Sequence, residues 1–279
     1  MPTPLLECFE QNGFTYRIIV YNVYQISHKM GVFKELIELE INSRQLHEIP
    51  SSLGELPNLQ TLIISGASIH TFPNTLCRLS KLRILKLRQL QQITTLPDNL
   101  DEMQSLEVLF IEDCPRLESL PESLGNLPSL RALIIYACPG LTRLPASMGG
   151  LHNLTYLYLR KTRITGLPAD FGRLSKLRSA YMISNHFTSL PEDLGGLVAL
   201  TDLTLTQNYL QALPASLGNL PNLRYLDVGL NYLATAPAAL GNLPRIEELN
   251  LLGNPLLALP PEVEALKAKG ALVKYTIKK

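Results

Sequence analysis

The repeat that decides the fold of this chain is clearest in residues 200–220, LTDLTLTQNYLQALPASLGNL. Its apolar residues follow the pattern L-x-x-L-x-L-x-x-N-x-L-x-x-L-P-x-x-L-x-x-L. The pattern starts ten times, at intervals of 23 or 24 residues, at Leu36, Leu59, Leu82, Leu106, Leu130, Leu154, Leu177, Leu200, Leu223 and Ile246. A period of this length predicts a solenoid in which each unit packs only against its neighbours.

Each unit is predicted to contain one strand and one return segment. In L-x-x-L-x-L the last two leucines are two positions apart, so both face the core and the residue between them faces outward. Neighbouring strands then pair in parallel, about 4.8 Å apart. In L-P-x-x-L-x-x-L the proline prevents strand pairing and the leucine spacing suits a short helical or 3-10 stretch. We therefore expect an α/β solenoid, a right-handed curved superhelix with its parallel sheet on the concave face.

The ninth position of each unit requires a side chain that can hydrogen-bond the backbone where the chain leaves the strand, because buried backbone groups need partners. The predicted structural ladder consists of Cys114, Cys138, Thr162, Asn185, Asn208, Asn231 and Asn254. Further upstream, Leu90, Ala67 and Arg44 hold this position and cannot replace asparagine equally well. We therefore expect the N-terminal third of the solenoid to be less regular and less stable.

Three units, beginning at Leu82, Leu106 and Leu130, carry one extra residue after the ninth position. We expect this residue to form a local bulge at the rim of the sheet. Cys114 and Cys138 occupy equivalent positions in adjacent units, so a disulfide between them is an open alternative. A pair of reduced, buried thiols in a cytosolic protein is the favoured interpretation.

The two ends of the chain do not follow the repeat. Residues 1–35 are expected to form an N-terminal cap, with a strand over 16–23 and a short helix near 29–36. Residues 36–266 hold the ten repeats, and 267–279 are expected to form a C-terminal cap strand after a short helix over 262–269. With both ends covered, as solenoids require, the chain is predicted to be one complete domain. Removal of a flanking segment is an open alternative.

Composition and charge argue against several classes of function. The chain is 46% apolar with a formal net charge of +1, so it has neither the basic footprint of a nucleic-acid-binding protein nor an acidic tail. Residues 1–11 lack the basic and apolar regions of a signal peptide, and no run of about 18 apolar residues marks a membrane span. We therefore predict a cytoplasmic protein with neither a membrane nor a nucleic-acid partner.

None of the common catalytic motifs is present. The chain lacks the phosphate-binding, dinucleotide-binding, zinc-protease and hydrolase motifs GxxxxGK[ST], GxGxxG, HExxH and GxSxG. Its five histidines are dispersed along the chain and are interpreted as ordinary surface residues. The acidic pairs Glu112-Asp113 and Glu247-Glu248 would hold a metal only with a third ligand from a neighbouring strand. We therefore predict that the protein is not an enzyme and binds neither a cofactor nor a metal.

The outward face of the sheet is the remaining candidate for function. The third, fifth, seventh and eighth positions of each unit point away from the core, and in the middle units they form an apolar and aromatic band. The predicted partner-binding residues are Arg88, Phe110, Ile134, Tyr136, Tyr156, Tyr158, Arg160, Tyr181 and Ile183. Exposed aromatic residues bordered by arginine are typical of a protein-binding hot spot. The alternatives are tyrosines that only shield a β-surface and self-association across this face.

The units resemble the plant-like leucine-rich repeats of bacterial intracellular or host-delivered proteins. Cys114-Pro115 and Cys138-Pro139, each followed by L-x-x-L-P, are similar to the repeats of plant immune receptors and of type III effectors from plant-associated bacteria. The resemblance covers residues 36–266 and implies a recognition scaffold, not an activity. Effectors of this type that are ubiquitin ligases carry a separate catalytic domain, for which this chain has no room.

We therefore expect a non-enzymatic scaffold that binds a protein partner on the concave face of the sheet. It would be a bacterial adaptor or inhibitor, or an effector delivered into a host cell without a signal peptide. The alternative is a substrate-recognition domain for an enzyme, such as a ubiquitin ligase, supplied on another chain or on a removed segment. In either case we expect a monomer or weak self-association.

Overall fold

The computed structural model of the protein describes the backbone of residues 5–11 and 14–278 and the side chains of residues 16–278. It divides the chain into two compact units, Met1–Leu141 and Thr142–Lys279. Each unit consists of strands that alternate with return segments. The predicted division into an N-terminal cap, ten repeats and a C-terminal cap strand within one domain stays a prediction.

The described residues of the first unit form one sheet of seven strands. They are β1 (Leu5–Gln11), β2 (Phe14–Tyr21), β3 (Glu38–Asn42), β4 (Thr61–Ser65), β5 (Ile84–Arg88), β6 (Val108–Glu112) and β7 (Ala132–Tyr136). β1 and β2 are antiparallel, and β2 to β7 pair in parallel in chain order. The intervening 3-10 segments are Met30–Val32, Ser51–Glu55, Asn74–Arg78, Leu100–Glu102 and Glu122–Asn126.

The second unit contains six strands, which pair in parallel in chain order. They are β8 (Tyr156–Arg160), β9 (Ser179–Ile183), β10 (Asp202–Thr204), β11 (Tyr225–Asp227), β12 (Glu248–Asn250) and β13 (Leu272–Lys274). Its 3-10 segments are Ala146–Gly150, Phe171–Arg173, Ala215–Asn219, Ala238–Asn242 and Lys267–Lys269, and α1 spans Pro261–Glu264.

The predicted register of the strands is confirmed. Leu203, Leu205 and Leu249 are buried, whereas Thr204 lies on the half-exposed outward face. The same alternation of outward and buried residues occurs in each five-residue strand of the repeats. Because side chains alternate between the two faces of a strand, this register determines every assignment of the outward face.

At the two ends the structure differs in detail from the expectation. The predicted N-terminal strand lies in β2, but β1 pairs with it as a hairpin, and the predicted helix is only the short segment Met30–Val32. At the other end, Gly270 takes a left-handed conformation with φ 93° and ends the segment Lys267–Lys269. The closing strand is β13, and Ile277 forms a single bridge to Leu256.

The prediction that the N-terminal third is less regular is wrong. β3 to β5 each have five residues, whereas β10 to β12 have three. In the first repeat the buried polar residue is Ser43 instead of Arg44, which is exposed. The Ser43 hydroxyl donates to the Val23 carbonyl (2.7 Å) and accepts from the Gln45 amide (3.3 Å). Buried Ala67 and Leu90 fill the same place in the next two repeats with apolar atoms. The lower stability of this region stays a prediction.

The chain turns out of each strand in the same conformation. In the nine repeats from Leu59 onward the eighth residue has a positive φ; these residues are Gly66, Gln89, Asp113, Ala137, Lys161, Ser184, Gln207, Leu230 and Gly253. The eighth position therefore lies in a left-handed turn beyond the strand, not on the face of the sheet as predicted. This turn brings the ninth side chain into the interior.

The extra residue of the 24-residue repeats is accommodated in a turn. The Leu117 amide donates to the Cys114 carbonyl (3.2 Å), and the Leu141 amide donates to the Cys138 carbonyl (3.1 Å). The additional residue therefore lengthens the loop after the ninth position, where the sequence predicted a bulge.

Glycines allow the return segments to approach closely. An alanine Cβ at Gly218 would lie 2.1 Å from the Ala239 carbonyl oxygen of the next repeat. The repeat beginning at Leu177 has two glycines here, Gly195 and Gly196, and returns through turns without a helical segment. The repeat beginning at Leu130 has the same pair, Gly149 and Gly150, inside a 3-10 segment, so the glycines do not account for the difference.

Gly218→Ala should destabilise the protein by about 2 kcal/mol or more, because the added methyl group forces the backbone of two repeats apart. Chemical denaturation of the purified variant measures this loss. Gly166→Ala is the matched control, since a Cβ there would meet no described atom within 4 Å. Equal stability of the two variants would contradict the close approach of the return segments.

Candidate functional site

All nine predicted partner-binding residues lie on the outward side of a strand and are half-buried. Four of them belong to the first unit and five to the second. The structure brings the residues together within each unit. That they form one continuous band stays a prediction.

In the first unit, the Arg88 side chain contacts two side chains of the neighbouring strand β6. Its guanidinium carbon lies 5.0 Å from the centre of the Phe110 ring, and its Nε lies 3.3 Å from Oε2 of Glu112. Phe110 is opposite Ile134 on β7, and Glu112 is opposite Tyr136. The four predicted residues therefore occupy neighbouring positions on β5, β6 and β7.

An apolar patch adjoins these residues and was missing from the predicted site. Ile84, Val108 and Ala132, the third residues of their repeats, stand opposite one another at the start of β5, β6 and β7. With Phe110 and Ile134 they form a continuous surface, which we call the apolar patch. The sequence does indicate this patch, since three successive repeats have an apolar residue at the third position. Beside the patch, Arg83 donates from Nε to Oε1 of Glu107 (2.9 Å).

A polar groove of about 490 Å³ lies at the carboxyl ends of the same strands. Its lining residues are Glu40, Asn42, Ser65, Arg88, Gln89, Glu112, Asp113, Tyr136 and Ala137. An apolar surface bordered by charged and hydrogen-bonding groups has the composition of a protein-binding surface.

In the second unit, three tyrosines form the centre of the predicted site. The ring centres of Tyr156 and Tyr181 are 5.8 Å apart, and those of Tyr158 and Tyr181 are 6.5 Å apart. Burial raises the pKa of the Tyr156 phenol, and the neighbouring Tyr181 and Tyr158 add to the shift. Arg160 lies opposite Ile183 at the ends of β8 and β9. We call these five residues the tyrosine face.

The asparagines of the predicted ladder join successive repeats. The Asn231 carboxamide donates to the Leu205 carbonyl of the preceding repeat (2.9 Å) and to the Val228 carbonyl of its own (3.0 Å). Its Oδ1 accepts from the Leu210 amide (3.0 Å). Asn208 and Asn254 make the equivalent bonds. Each carboxamide therefore satisfies backbone groups that the strands leave without a partner.

Thr162 ends this series in the second unit. Its hydroxyl donates to Oδ1 of Asn185 (2.7 Å) and accepts from the Ile164 amide (3.3 Å). Asn185 also donates to the Leu159 carbonyl (2.9 Å) and accepts from the Thr162 amide (3.0 Å). The threonine hydroxyl thus makes some of the hydrogen bonds that an asparagine makes at this position.

Cysteines hold the ladder position in two repeats of the first unit. The Cys114 thiol donates to the Glu112 carbonyl (3.5 Å), and the Cys138 thiol donates to the Tyr136 carbonyl (3.4 Å). Both thiols are buried and free. The neighbouring Cys138 thiol and burial raise the pKa of the Cys114 thiol. These two positions are therefore occupied by thiols, not by the disulfide that the sequence left open.

Among the described residues, no three His, Cys, Asp or Glu side chains are close enough together to hold a metal ion. No helix in the described part of the chain is both long and apolar enough to cross a membrane.

Comparison with known families agrees with the repeat pattern. A leucine-rich repeat region model matches residues 24–139, and a leucine rich repeat model matches residues 152–210 and 198–256. The chain belongs to the leucine-rich repeat family. The predicted fold class, an α/β solenoid of such repeats, is thereby confirmed. Proteins of this family are typically non-enzymatic scaffolds that mediate protein–protein interaction. No curated protein matches the chain by sequence.

Solved structures share the fold. The leucine-rich repeat domain of the type III effector XopL is 28% identical with a TM-score of 0.65, and the match covers 82% of this chain and 72% of that one. The plant peptide hormone receptor RGFR1, in complex with RGF2, is 25% identical with a TM-score of 0.70 over 90% of this chain. This chain spans 45% of the RGFR1 chain. An internalin from Listeria monocytogenes has the same fold, at 20% identity and a TM-score of 0.60, covering 94% of this chain and 82% of its own.

Asn208→Ala or Asn231→Ala should each lower the free energy of unfolding by about 1–3 kcal/mol, because buried backbone groups lose their partners. Asn242→Ala, at an exposed position, is the matched control. Thermal and denaturant melts measure the difference. Ladder variants with the same melting temperature and denaturation midpoint as the control would contradict a stabilising role of the carboxamides.

The thiols at Cys77, Cys114 and Cys138 should react with Ellman's reagent at pH 8 only after unfolding. Burial raises the pKa of Cys77 to about 12, so this thiol stays protonated and unreactive at that pH. A Cys8→Ser background isolates the three residues. Rapid labelling of the folded protein would contradict their burial.

Proposed function

We propose that this chain is a non-enzymatic recognition module that binds a protein or peptide partner on the outward face of its sheet, the face predicted to be concave. The observation that carries the proposal is the tyrosine face of the second unit. Tyrosine buries a large apolar ring and retains a hydroxyl for hydrogen bonding, so it is common at the energetic centre of protein interfaces.

The position of the tyrosines favours binding over simple shielding of the sheet. Tyr158 on β8 and Tyr181 on β9 hold the fifth position of their repeats, where the following repeats have Thr204, Asp227 and Asn250. The strands of those repeats pair in the same parallel register without an aromatic residue at this position, although β11 carries Tyr225 two residues earlier. The sheet therefore does not require tyrosine at this position, and the cluster is local to two repeats.

The apolar patch of the first unit supplies a second surface of suitable chemistry. Its five side chains are flanked by the ion pairs Arg83–Glu107 and Arg88–Glu112. Such pairs at the border of an interface guide association and choice of partner more than they add affinity. We propose this patch as a second binding surface, separate from the tyrosine face.

The similar proteins support the proposal. RGFR1 is a peptide hormone receptor in complex with RGF2, and XopL is a type III effector. We infer from the latter likeness that this chain is a bacterial protein that acts in the bacterial cytoplasm or, after delivery, inside a host cell. Fusing the chain to a calmodulin-dependent adenylate cyclase reporter tests delivery. Cyclic AMP that accumulates in host cells only when the infecting strain has an intact type III system supports delivery. No accumulation with either that strain or a secretion-deficient one contradicts delivery.

Tyr158→Ala or Tyr181→Ala should weaken partner binding by about 2 kcal/mol or more, because each variant removes a ring at the centre of the interface. Arg160→Ala, at the border, should cost less unless it forms a desolvated ion pair. Capture from bacterial and host lysates identifies the partner, and titration calorimetry measures each affinity.

Glu192→Ala, an exposed change on the return side, serves as the control. Ser216→Ala is unsuitable because the Ser216 hydroxyl accepts a hydrogen bond from the Leu194 amide (3.2 Å). Wild-type affinity of both tyrosine variants, together with loss of binding in a return-side variant, would move the site to the other surface. Sedimentation of the free protein separates self-association from partner binding.

A further inference from the structure

Beyond the strand ends of the second unit lies a row of side chains that the proposed function does not use. It consists of the eighth to tenth positions of five successive repeats, residues 161–163 (KTR), 184–186 (SNH), 207–209 (QNY), 230–232 (LNY) and 253–255 (GNP). The middle residue of each triplet is the buried ladder residue, and the outer two face away from the core. We call the outer residues the edge strip.

Backbone hydrogen bonds align the strip from one repeat to the next. At the eighth position, the Ser184 amide donates to the Thr206 carbonyl of the next repeat (3.0 Å). The Leu230 amide likewise donates to the Leu252 carbonyl (2.8 Å). At the tenth position, the Tyr209 amide donates to the Phe187 carbonyl of the preceding repeat (2.8 Å). The equivalent bonds of His186 and Tyr232 are 3.0 and 2.9 Å long. The side chains therefore form two parallel rows of fixed spacing.

Three aromatic rings follow one another along the tenth position. The His186 and Tyr209 ring centres are 5.3 Å apart in an edge-to-face arrangement, and Tyr209 and Tyr232 stack at 5.8 Å with an angle of 8° between their planes. Tyr209 is 44% exposed, Tyr232 57% and Leu230 52%. Exposed apolar side chains in such a continuous row are typical of an interaction surface.

A groove of about 430 Å³ runs beside these rings, lined by Gln207, Tyr209, Leu230, Tyr232 and Gly253 together with the edges of two ladder asparagines. The Gly253 backbone has a φ of 74°, and a Cβ there would lie 2.5 Å from Leu230 Cδ2. The absence of a side chain at Gly253 keeps this end of the groove open.

The charged side chains of the edge strip are all positive. Its first repeat contributes Lys161 and exposed Arg163, and none of its five triplets contains aspartate or glutamate. The equivalent triplets of the first unit hold Arg44 and Asp113, one charge of each sign. An anionic partner is therefore favoured at the edge strip of the second unit alone.

We propose that the edge strip binds an acidic peptide segment of a protein partner. Its carboxylates would pair with Arg163 in the field of Lys161, and an apolar side chain would occupy the groove between Tyr209, Leu230 and Tyr232. A single-stranded nucleic acid fits less well, because Tyr209 and Tyr232 turn their ring faces toward each other and cannot accept a base between them. This surface is separate from the tyrosine face and does not depend on it.

Selection of a yeast-displayed library of random peptides, about twelve residues long, against the labelled full chain tests the proposal. The selected pool should be enriched in aspartate and glutamate. Arg163→Glu and Tyr232→Ala should each weaken the selected peptides about tenfold, and raised salt should weaken them as well. Arg173→Glu, the same charge reversal at an exposed return-side position, should bind as the wild type does. Thermal melts establish that all variants fold.

Failure of the selection, or a pool without acidic enrichment, would overturn the proposal. So would peptides that bind Arg163→Glu and Tyr232→Ala normally but are lost with Tyr158→Ala, since these would occupy the tyrosine face. A fluorescein-labelled polyuridine oligonucleotide provides the nucleic-acid arm. Binding of this probe that disappears in Tyr232→Ala would assign the strip to nucleic acid and reject the peptide.

Discussion

One left-handed turn, which follows the strand in nine repeats, is the constraint on which the structure depends. The eighth residue takes the left-handed conformation, and from Cys114 onward the ninth enters the core and hydrogen-bonds the backbone around it. In the C-terminal repeats a single carboxamide, such as that of Asn231, contacts two repeats at once. Because each rung fixes one repeat against its neighbour, the outward residues keep a constant spacing along the sheet.

Much of this fold follows from the leucine period, because positions two apart must share a face of a strand. The period could not reveal which polar residue enters the core where asparagine is missing. In the first repeat Ser43 is buried instead of Arg44, one position earlier, and this repeat lacks the left-handed turn of the others. The β1–β2 hairpin was also missed, since it lies outside the repeat and shares none of its spacing.

For the candidate site, the orientation of the residues was predictable from the sequence, whereas the contacts among them were not. Alternation along the strands identifies every outward residue, and all nine predicted contact residues have that orientation. The contacts among them depend on side-chain conformation, as in the placement of Arg88 over Phe110. The edge strip escaped prediction because it lies past the strand ends, where alternation stops. Its signal was the tenth column, in which Arg163, His186, Tyr209 and Tyr232 follow one another.

The core and the proposed binding surfaces use different positions of the same repeat. The sixth position stays apolar and buried in the second unit, as Leu159, Met182, Leu205, Val228 and Leu251, while the fifth changes from tyrosine to threonine, aspartate and asparagine. Outward residues can therefore change without disturbing the core. In the second unit the tyrosine face and the edge strip arise at adjoining positions of the same backbone. A partner that reached both would have to fit the tyrosine face as well as the charges and groove of the edge strip, which is a narrower requirement than either surface imposes alone.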